Sequence, residues 1–172
     1  MIAPRMQPPD VDTDDPVAGS VLAHQPALLR AFTKLYGTLW SHGEVDQMTK
    51  EMARLRNART VSCPICKAIR FSGARAEGLK EQLVDLIHDG YEESELEPRH
   101  KAVLAWVDAF LGDPSGDHAV LRARLDEHFT LAQIVELTAG IALFMGFSKI
   151  AVSLGGLPDE IPVHEQPTPD LG

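Results

Sequence analysis

Cysteine is scarce in this 172-residue chain, which contains only Cys63 and Cys66. Two cysteines that are separated by two residues cannot build a disulfide scaffold or a four-cysteine zinc site. Aromatic residues make up only 6% of the chain, but hydrophobic residues reach 44%, which is ordinary for a globular protein. The length is sufficient for one domain with a core of its own.

Clustered positive charge is also missing. The formal net charge is -9 and the pI is about 5.2. Proteins that bind nucleic acids need a basic face to neutralise phosphates, so we expect no nucleic-acid partner. The densest basic group is formed by Arg54, Arg56 and Arg59, and we expect it to be either a solvated helix edge or a contact between subunits.

Long apolar runs are absent as well. The longest, residues 137–147, has about 11 residues, which is too short to cross a bilayer and fits a buried core helix. The N-terminal residues lack the apolar stretch of a signal peptide. We therefore expect a cytoplasmic protein with no membrane partner, whose thiols are kept reduced.

Proline and acidic residues concentrate at both ends of the chain. Residues 1–17 contain four prolines and four aspartates, and they are predicted to form a disordered leader. Residues 157–172 are similarly rich in proline and are predicted to be a tail. The sequence thus predicts a single folded domain over residues 18–156.

Helical periodicity dominates this central part. Pro26 and Pro98 suit the first turns of two helices, and Gly90 suits the end of another. Thr130 and Gln133 form a capping box at the start of a long apolar helix. No segment alternates with a period of two residues, so the sequence predicts an all-α bundle of about seven helices.

The most specific motif is the Cys63–Cys66 pair. Ser62 suits a helix N-cap and Pro64 a first turn, so we predict Cys63 at the mouth of a helix and Cys66 in its first turn. The helix dipole and free N–H groups there lower the pKa of a thiol. Arg70 lies four residues after Cys66 and is expected on the same helix face, where it would stabilise a thiolate without accepting its proton.

Less specific interpretations of these residues stay open. The cysteines can be buried and inert, since free cysteine is often found in cores. They can also bind zinc if His42 and a carboxylate join them, although that spacing differs from the usual patterns. Arg70 can be a surface residue or the ion-pair partner of a nearby acid.

Four positions together resemble the carboxymuconolactone decarboxylase-like superfamily, in particular its alkylhydroperoxidase D-like branch. They are Glu51, Cys63, Cys66 and the position of Arg70. The family pattern is a glutamate, a CxxC about three turns further on, and a histidine four residues after the second cysteine. The segments at residues 129–137 and 147–151 resemble later parts of the family, so the likeness covers about residues 20–156.

The resemblance implies an all-α fold that assembles into homo-oligomers, either dimers, trimers or hexamers. It implies that Cys66 attacks a hydroperoxide, that Cys63 resolves the product as a disulfide, and that Glu51 is the acid/base group of a proton relay. No bound metal or flavin is implied. Electrons would come from an external dithiol, such as a lipoylated protein or a thioredoxin-like donor.

One position departs from the family pattern, because Arg70 stands where the family has histidine. Arginine can hold a thiolate, but it cannot shuttle a proton. The relay can therefore depend on Glu51 and water alone, or the chemistry can have shifted to thiol–disulfide exchange. Glu51 can also be solvated or paired with Arg54 or Arg56.

The sequence thus predicts a thiol-dependent peroxidase of the peroxiredoxin-like type that uses a CxxC dithiol/disulfide cycle. The alternatives are a thiol–disulfide reductase and a redox-sensing oligomeric protein. A decarboxylase is less favoured, because the decarboxylating members lack the CxxC pair. His88, His100, His118 and His128 are expected at the surface or at helix ends, although one of them can replace the missing histidine.

Overall fold

The computed structural model describes residues 6–13, 17–155 and 161–168. In these ranges the chain forms eight α-helices, one more than expected, and the predicted all-α fold is confirmed. The helices are α1 (Pro26–Ser41), α2 (Gln47–Thr60), α3 (Pro64–Ala68), α4 (Ser72–Ala76), α5 (Glu81–Asp85), α6 (Pro98–Gly112), α7 (Ala119–Asp126) and α8 (Leu131–Leu154). Short 3-10 helices at Val21–His24 and Tyr91–Glu93 and two three-residue strands, β1 (Ile69–Phe71) and β2 (His164–Gln166), complete the described elements.

Helix α2 is the centre of the bundle and packs against both α6 and α8. Residues 49–58 of this helix are all buried, and they include the charged side chains of Lys50, Glu51 and Arg54. A charge that leaves water is costly unless it is paired and hydrogen-bonded. The polar residues of α2 must therefore find their partners inside the domain.

Helix α8 begins at the predicted capping box, in which the Thr130 and Gln133 side chains bond to each other's backbone. Among the described residues it is the one helix that is long and apolar enough to cross a membrane. Here it packs against α1, α2 and α6. Gly140 permits the close approach to α1, since a Cβ there would lie 3.0 Å from Cζ3 of Trp40.

The stretch after the cysteines differs from the prediction. The expected helix that carries both Cys66 and Arg70 does not form, because α3 ends at Ala68 and β1 follows directly. Strand β1 pairs in parallel with β2 from the end of the chain, with Ile69 opposite His164. A strand of three residues is too short to show an alternating pattern, so the sequence could not reveal it.

Parts of both predicted termini contact the domain. In the predicted leader, the Met6 backbone N–H donates to the carbonyl of Leu154 over 2.9 Å. In the predicted tail, Thr168 Oγ1 accepts from the Gly73 N–H over 3.1 Å. The remaining parts of these segments, residues 1–5, 14–16, 156–160 and 169–172, lie outside the described residues.

Candidate active site

The end of helix α2 places Cys63. The Ser62 N–H bonds to the Arg59 carbonyl and the Cys63 N–H to the Ala58 carbonyl, which together form a Schellman motif. Ser62 takes the left-handed position of this motif, with a φ of 57°. The predicted role of Ser62 as an N-cap is therefore wrong, because Ser62 closes the preceding helix.

Cys63 is itself the N-cap of helix α3. Its sulfur accepts a hydrogen bond from the Cys66 N–H, with a sulfur–nitrogen distance of 3.4 Å. The two sulfur atoms lie 2.7 Å apart, which is longer than a disulfide bond, and both cysteines are free thiols. Cys63 is fully buried and Cys66 is 3% exposed.

The two thiols have different acidities. The pKa of Cys66 is lowered to about 7. The hydrogen bond from Cys63 is the largest cause, a hydrogen bond from Ser148 and the charge of Arg54 contribute, and burial acts in the opposite direction. The hydrogen bond between the two thiols, together with burial, raises the pKa of Cys63. Cys66 is thus the thiol that ionises first, and a thiolate is the nucleophilic form of cysteine.

Arg54 is the guanidinium that lies beside Cys66. It donates to the Cys66 carbonyl over 2.6 Å and to the Ile69 carbonyl over 2.7 Å. Its other bonds go to Glu51, which pairs with it through two nitrogen–oxygen contacts of 2.7 Å. Burial is the largest single influence on the pKa of Arg54 and lowers it, but the charge and hydrogen bonds of Glu51, together with smaller contributions from Tyr36 and Cys66, raise it overall.

Glu51 is fully buried, and both of its carboxylate oxygens are occupied. Each oxygen accepts from Arg54, and Oε1 also accepts from the Phe71 N–H over 3.2 Å. Among the described residues its hydrogen-bond partners do not include either sulfur. The structure thus realises the alternative in which Glu51 pairs with Arg54, and this pair connects α2 to the Cys66 end of the CxxC segment and to β1.

Arg70 does not occupy the expected position on the same helix face as Cys66. Helix α3 ends at Ala68, so the four-residue spacing no longer brings the two side chains onto one face. Arg70 instead forms a two-pronged ion pair with Glu81, with contacts of 3.1 and 3.0 Å, and donates to the carbonyls of Lys67 and Ile69. This agrees with the alternative in which Arg70 is the ion-pair partner of an acid.

The three clustered arginines do not form a solvated edge. Arg56 bonds to Asp108 and Asp89, and Arg59 donates to the carbonyls of Ile87 and Val84. With Arg54 buried in the site, all three guanidinium groups bond within the domain. The partners of Arg56 and Arg59 lie at least 25 positions away along the chain, which is why helical periodicity gave no sign of them.

The hydrogen bonds of the two sulfur atoms join them to each other, to the Cys66 N–H and to Ser148, and the five histidines considered in the sequence lie in other settings. His100 lies in the first turn of α6, at a helix end as expected, but it is buried, and burial lowers its pKa. His88, His118 and His128 are exposed or partly exposed, and His42 is exposed. Within the described ranges no group of three or more histidine, cysteine or acidic residues could hold a metal ion.

Apolar side chains surround the two thiols. Buried residues of this cluster are Leu22, from the turn before α1, and Phe147 and Ala151 of α8. Partly buried residues on its edge are Val17, Leu29, Phe32 and Ile65. The covered site favours a small or apolar reactant over a large one.

Two polar residues of the site were not predicted. Ser148 Oγ lies 3.3 Å from the Cys66 sulfur, and Asn57 Nδ2 lies 3.3 Å from Ser148 Oγ. Both side chains are fully buried. Ser148 lies in the segment 147–151 that resembles the family, but the sequence assigned no role to it or to Asn57, because only the packing of α2 against α8 brings them to the cysteines.

Two proteins from Mycobacterium tuberculosis match part of the sequence. No family model matches the chain. The uncharacterized proteins MT2376 and Rv2313c, from two strains of Mycobacterium tuberculosis, are each 32% identical to it over 111 residues. The match includes 64% of this chain and 39% of each relative, so the chain spans less than half of the length of these relatives.

Solved structures share the arrangement of helices. An uncharacterized peroxidase-related protein from Ralstonia eutropha JMP134, with an alkylhydroperoxidase AhpD core, has a TM-score of 0.69 at 22% identity over 83% of this chain and 80% of that one. A protein of unknown function from Agrobacterium tumefaciens, described as a candidate antioxidant defence protein AhpD, has a TM-score of 0.66 at 24% identity over 78% and 92%. The chain has the AhpD-like fold.

A third AhpD-like match is an uncharacterized peroxidase-related protein from Silicibacter sp. TM1040. Its TM-score is 0.66 at 18% identity, over 78% of this chain and 71% of that one. The fold implied by the resemblance of Glu51 and the CxxC motif is therefore confirmed. All three identities are below 25%, so these matches show the fold of this chain, and its activity depends on the residues of its own site.

Proposed function

We propose that this protein is a thiol-dependent peroxidase that reduces hydroperoxides through a dithiol/disulfide cycle of Cys63 and Cys66. The observation that carries the proposal is the asymmetry of the two thiols. The hydrogen bond from Cys63, with contributions from Ser148 and Arg54, lowers the pKa of Cys66 to about 7, and its partner thiol stays protonated. At neutral pH about half of the molecules therefore carry a Cys66 thiolate beside a Cys63 thiol, which is the pair of species that the cycle requires.

The first step uses the Cys66 thiolate. Its sulfur attacks an oxygen of the hydroperoxide ROOH and breaks the O–O bond, which gives a Cys66 sulfenic acid and the alkoxide RO⁻. The alkoxide takes a proton from water and leaves as the alcohol ROH. The substrate oxygen is reduced and the sulfur is oxidised by two electrons.

The second step uses the Cys63 thiol. It condenses with the Cys66 sulfenic acid, releases water and forms the Cys63–Cys66 disulfide. The two sulfur atoms already lie 2.7 Å apart, so the condensation needs little movement of the chain. An external dithiol then reduces the disulfide by exchange, and a lipoylated protein or a thioredoxin-like protein is of the required chemical class.

This cycle does not use Arg70 or Glu51 as proton carriers. Arg70 pairs with Glu81, and Glu51 is bound by Arg54 and the Phe71 N–H. The proposed role of Glu51 is to hold Arg54, which fixes the end of the CxxC segment against α2, and that of Arg70 is to tie β1 to Glu81 of α5. The proton balance is closed by water and by the Cys63 thiol, and the regenerating exchange needs a reducing compartment such as the cytoplasm.

Peroxide consumption with dithiothreitol as the electron donor tests the proposal. The wild-type protein is expected to consume an organic hydroperoxide catalytically, and Cys66→Ser is expected to lose this activity. Cys63→Ser retains the attacking thiolate but has no resolving thiol, so it should complete one turnover and then slow. If Cys66→Ser is as active as the wild type, the proposal is wrong.

Two alternatives predict other outcomes. A thiol–disulfide reductase would reduce a protein or small-molecule disulfide and leave peroxide untouched. A redox sensor would change its oligomeric state on oxidation without turnover. Burial of both sulfur atoms limits the access of bulky reactants, and this limit applies to a protein disulfide as the oxidant and to a thioredoxin-like protein as the reductant alike.

We also propose that the chain forms a homo-oligomer through α1 and α8. Large apolar residues on these helices face outward in the single chain: Leu28 and Leu35 on α1, and Leu131 and Val135 on α8. An apolar face of this kind is typical of an interaction surface, and a second copy presents the same face. Sedimentation of the wild type and of Val135→Glu tests this, since the charge should shift the protein towards the monomer.

A further inference from the structure

Ser148 uses its hydroxyl differently from the other hydroxyl residues of helix α8. A serine or threonine inside a helix commonly donates to the carbonyl four residues earlier. Thr138 and Ser153 do so, with distances of 2.7 Å to Ile134 and 2.6 Å to Lys149. The Ser148 hydroxyl contacts the Cys66 sulfur and the Asn57 amide instead.

The direction of these hydrogen bonds follows from the donors present. Asn57 Nδ2 is a donor only, so the Ser148 oxygen accepts from it. The hydroxyl proton of Ser148 is then available for its second contact, which is the Cys66 sulfur. Ser148 can therefore donate to the Cys66 sulfur while it accepts from Asn57, and when Cys66 is a thiolate Ser148 must be the donor, because a thiolate has no proton to give.

Burial increases the importance of this contact. Ser148 and Asn57 are fully buried, and Cys66 is nearly so. In a poorly solvated site a thiolate depends on hydrogen bonds from the protein, and bonds to a charged atom are about twice as strong as neutral ones. The donor to Cys66 therefore strongly influences whether its thiolate forms.

We propose that Ser148 is a catalytic residue that donates a hydrogen bond to the Cys66 thiolate, and that Asn57 is the residue that positions it. This rests on the proposed peroxidase function, because it assigns a role within the same site. It also supplies a donor at the sulfur in a chain where Arg70 faces Glu81.

Other groups also face Cys66 and must be separated from Ser148 in any test. Cys63 donates to the same sulfur from the start of α3, and Arg54 of α2 bonds to the Cys66 carbonyl and carries a positive charge. Glu51 neutralises much of that charge through its ion pair. Removal of the Ser148 hydroxyl leaves these three groups unchanged.

The pH dependence of alkylation by iodoacetamide in Ser148→Ala provides the test, with the Cys66 peptide followed by mass. Loss of one charge-assisted donor is expected to raise the midpoint of the profile of alkylation rate against pH by about one pH unit. A more basic thiolate is scarcer but more nucleophilic. The variant should therefore react about threefold more slowly at about pH 6 and about threefold faster at about pH 9.

Ser153→Ala is the matched control, because it removes a hydroxyl of the same helix that bonds to its own backbone. It should reproduce the wild-type profile. Asn57→Ala should raise the midpoint less than Ser148→Ala, since the hydroxyl remains but loses its orientation. Thermal unfolding of each variant verifies that the fold is intact.

An unchanged midpoint in Ser148→Ala would overturn the proposal, as would an equal slowing at every pH, which a general loosening of the site produces. Alkylation does not depend on peroxide chemistry. If the wild type fails to consume hydroperoxide, the peroxidase function is rejected, but the role of Ser148 at the thiolate is still decided by these profiles.

Discussion

Arg54 donates a hydrogen bond to the backbone carbonyl of Cys66, with a nitrogen–oxygen distance of 2.6 Å. The guanidinium is buried together with Glu51, which holds it from the opposite side. Arg54 also lies 5.1 Å from the centre of the Phe71 ring. One buried cation therefore joins helix α2 to helix α3 at Cys66 and to strand β1.

Removal of Arg54 should destabilise the fold strongly. In Arg54→Met the Glu51 carboxylate stays buried without its partner, and breaking a buried ion pair in this way costs about 3–5 kcal/mol. The free energy of unfolding, measured with denaturant, should fall by about this amount. Arg122→Met is the matched control, since its exposed pair with Asp126 should contribute less than about 1 kcal/mol. Equal losses in the two variants would contradict the structural role of Arg54.

Cys63→Ala should raise the pH at which Cys66 becomes reactive. The hydrogen bond from the Cys63 thiol is the largest cause of the lowered pKa of Cys66. The thiolate is the reacting form, so the alkylation rate rises as the pH passes the pKa of Cys66. In the wild type this rise is expected at about pH 7, and without the donor it moves to higher pH. Cys63→Ser retains a hydroxyl donor and should shift less, and coincident profiles for Cys63→Ala and the wild type would contradict this.

Arg70→Ala should leave the alkylation profile of Cys66 unchanged. Its side chain bonds to Glu81 and to the carbonyls of Lys67 and Ile69. The variant should lose about 1–2 kcal/mol of unfolding free energy, since several hydrogen bonds disappear. Arg70→His should likewise leave the alkylation profile unchanged, because residue 70 lies in β1. A higher midpoint of the Cys66 alkylation profile in Arg70→Ala would instead show that the Arg70 guanidinium stabilises the Cys66 thiolate.

Ser62→Gly should stabilise the protein. Ser62 is the one residue other than glycine with positive φ in the described ranges, and a left-handed conformation costs an L-residue roughly 1–2 kcal/mol. Part of this gain is offset by the extra freedom of glycine in the unfolded chain, so we expect a net gain of about 0.5–1 kcal/mol. Ser115→Gly, at an exposed position without positive φ, should give no gain. A loss of stability in Ser62→Gly would contradict the conclusion that the left-handed backbone of Ser62 is strained.

The helices were predictable because their signals are local. Pro26, Pro98 and the capping box at Thr130 and Gln133 mark helix starts in the structure as they do in the sequence. Gly90 does have a left-handed backbone, but it does not end the helix as predicted, since α5 stops at Asp85 and Gly90 precedes the 3-10 helix Tyr91–Glu93. Each signal depends on residues a few positions apart, which a sequence displays directly.

The chain around the site was less predictable because its contacts are not local. Ser62 looked like an N-cap, since serine is common there, but its backbone closes α2 and Cys63 caps α3. Arg70 looked like the neighbour of Cys66, but helix α3 is only five residues long. Periodicity does not show where a short helix ends when the following segment pairs with a distant strand.

The partners of Cys66 were least predictable. Ser148 is 82 positions away in the chain, and its hydroxyl reaches the sulfur only because α8 packs on α2. Glu51 and Arg54 are three residues apart, and their spacing allowed an ion pair to be expected from the sequence. Their burial was not evident from the sequence. Their hydrogen bonds to the Cys66 carbonyl and the Phe71 N–H depend on the folded path of the CxxC segment.

The most direct test of the account is a single turnover. Reduced protein is mixed with one equivalent of an organic hydroperoxide, quenched, and analysed by mass and free-thiol count. The account predicts loss of both thiols as a Cys63–Cys66 disulfide in the wild type, a trappable sulfenic acid at Cys66 in Cys63→Ser, and no reaction in Cys66→Ser. Folded wild-type protein that keeps both thiols, or a sulfenic acid that forms at Cys63 in Cys66→Ser, would contradict it.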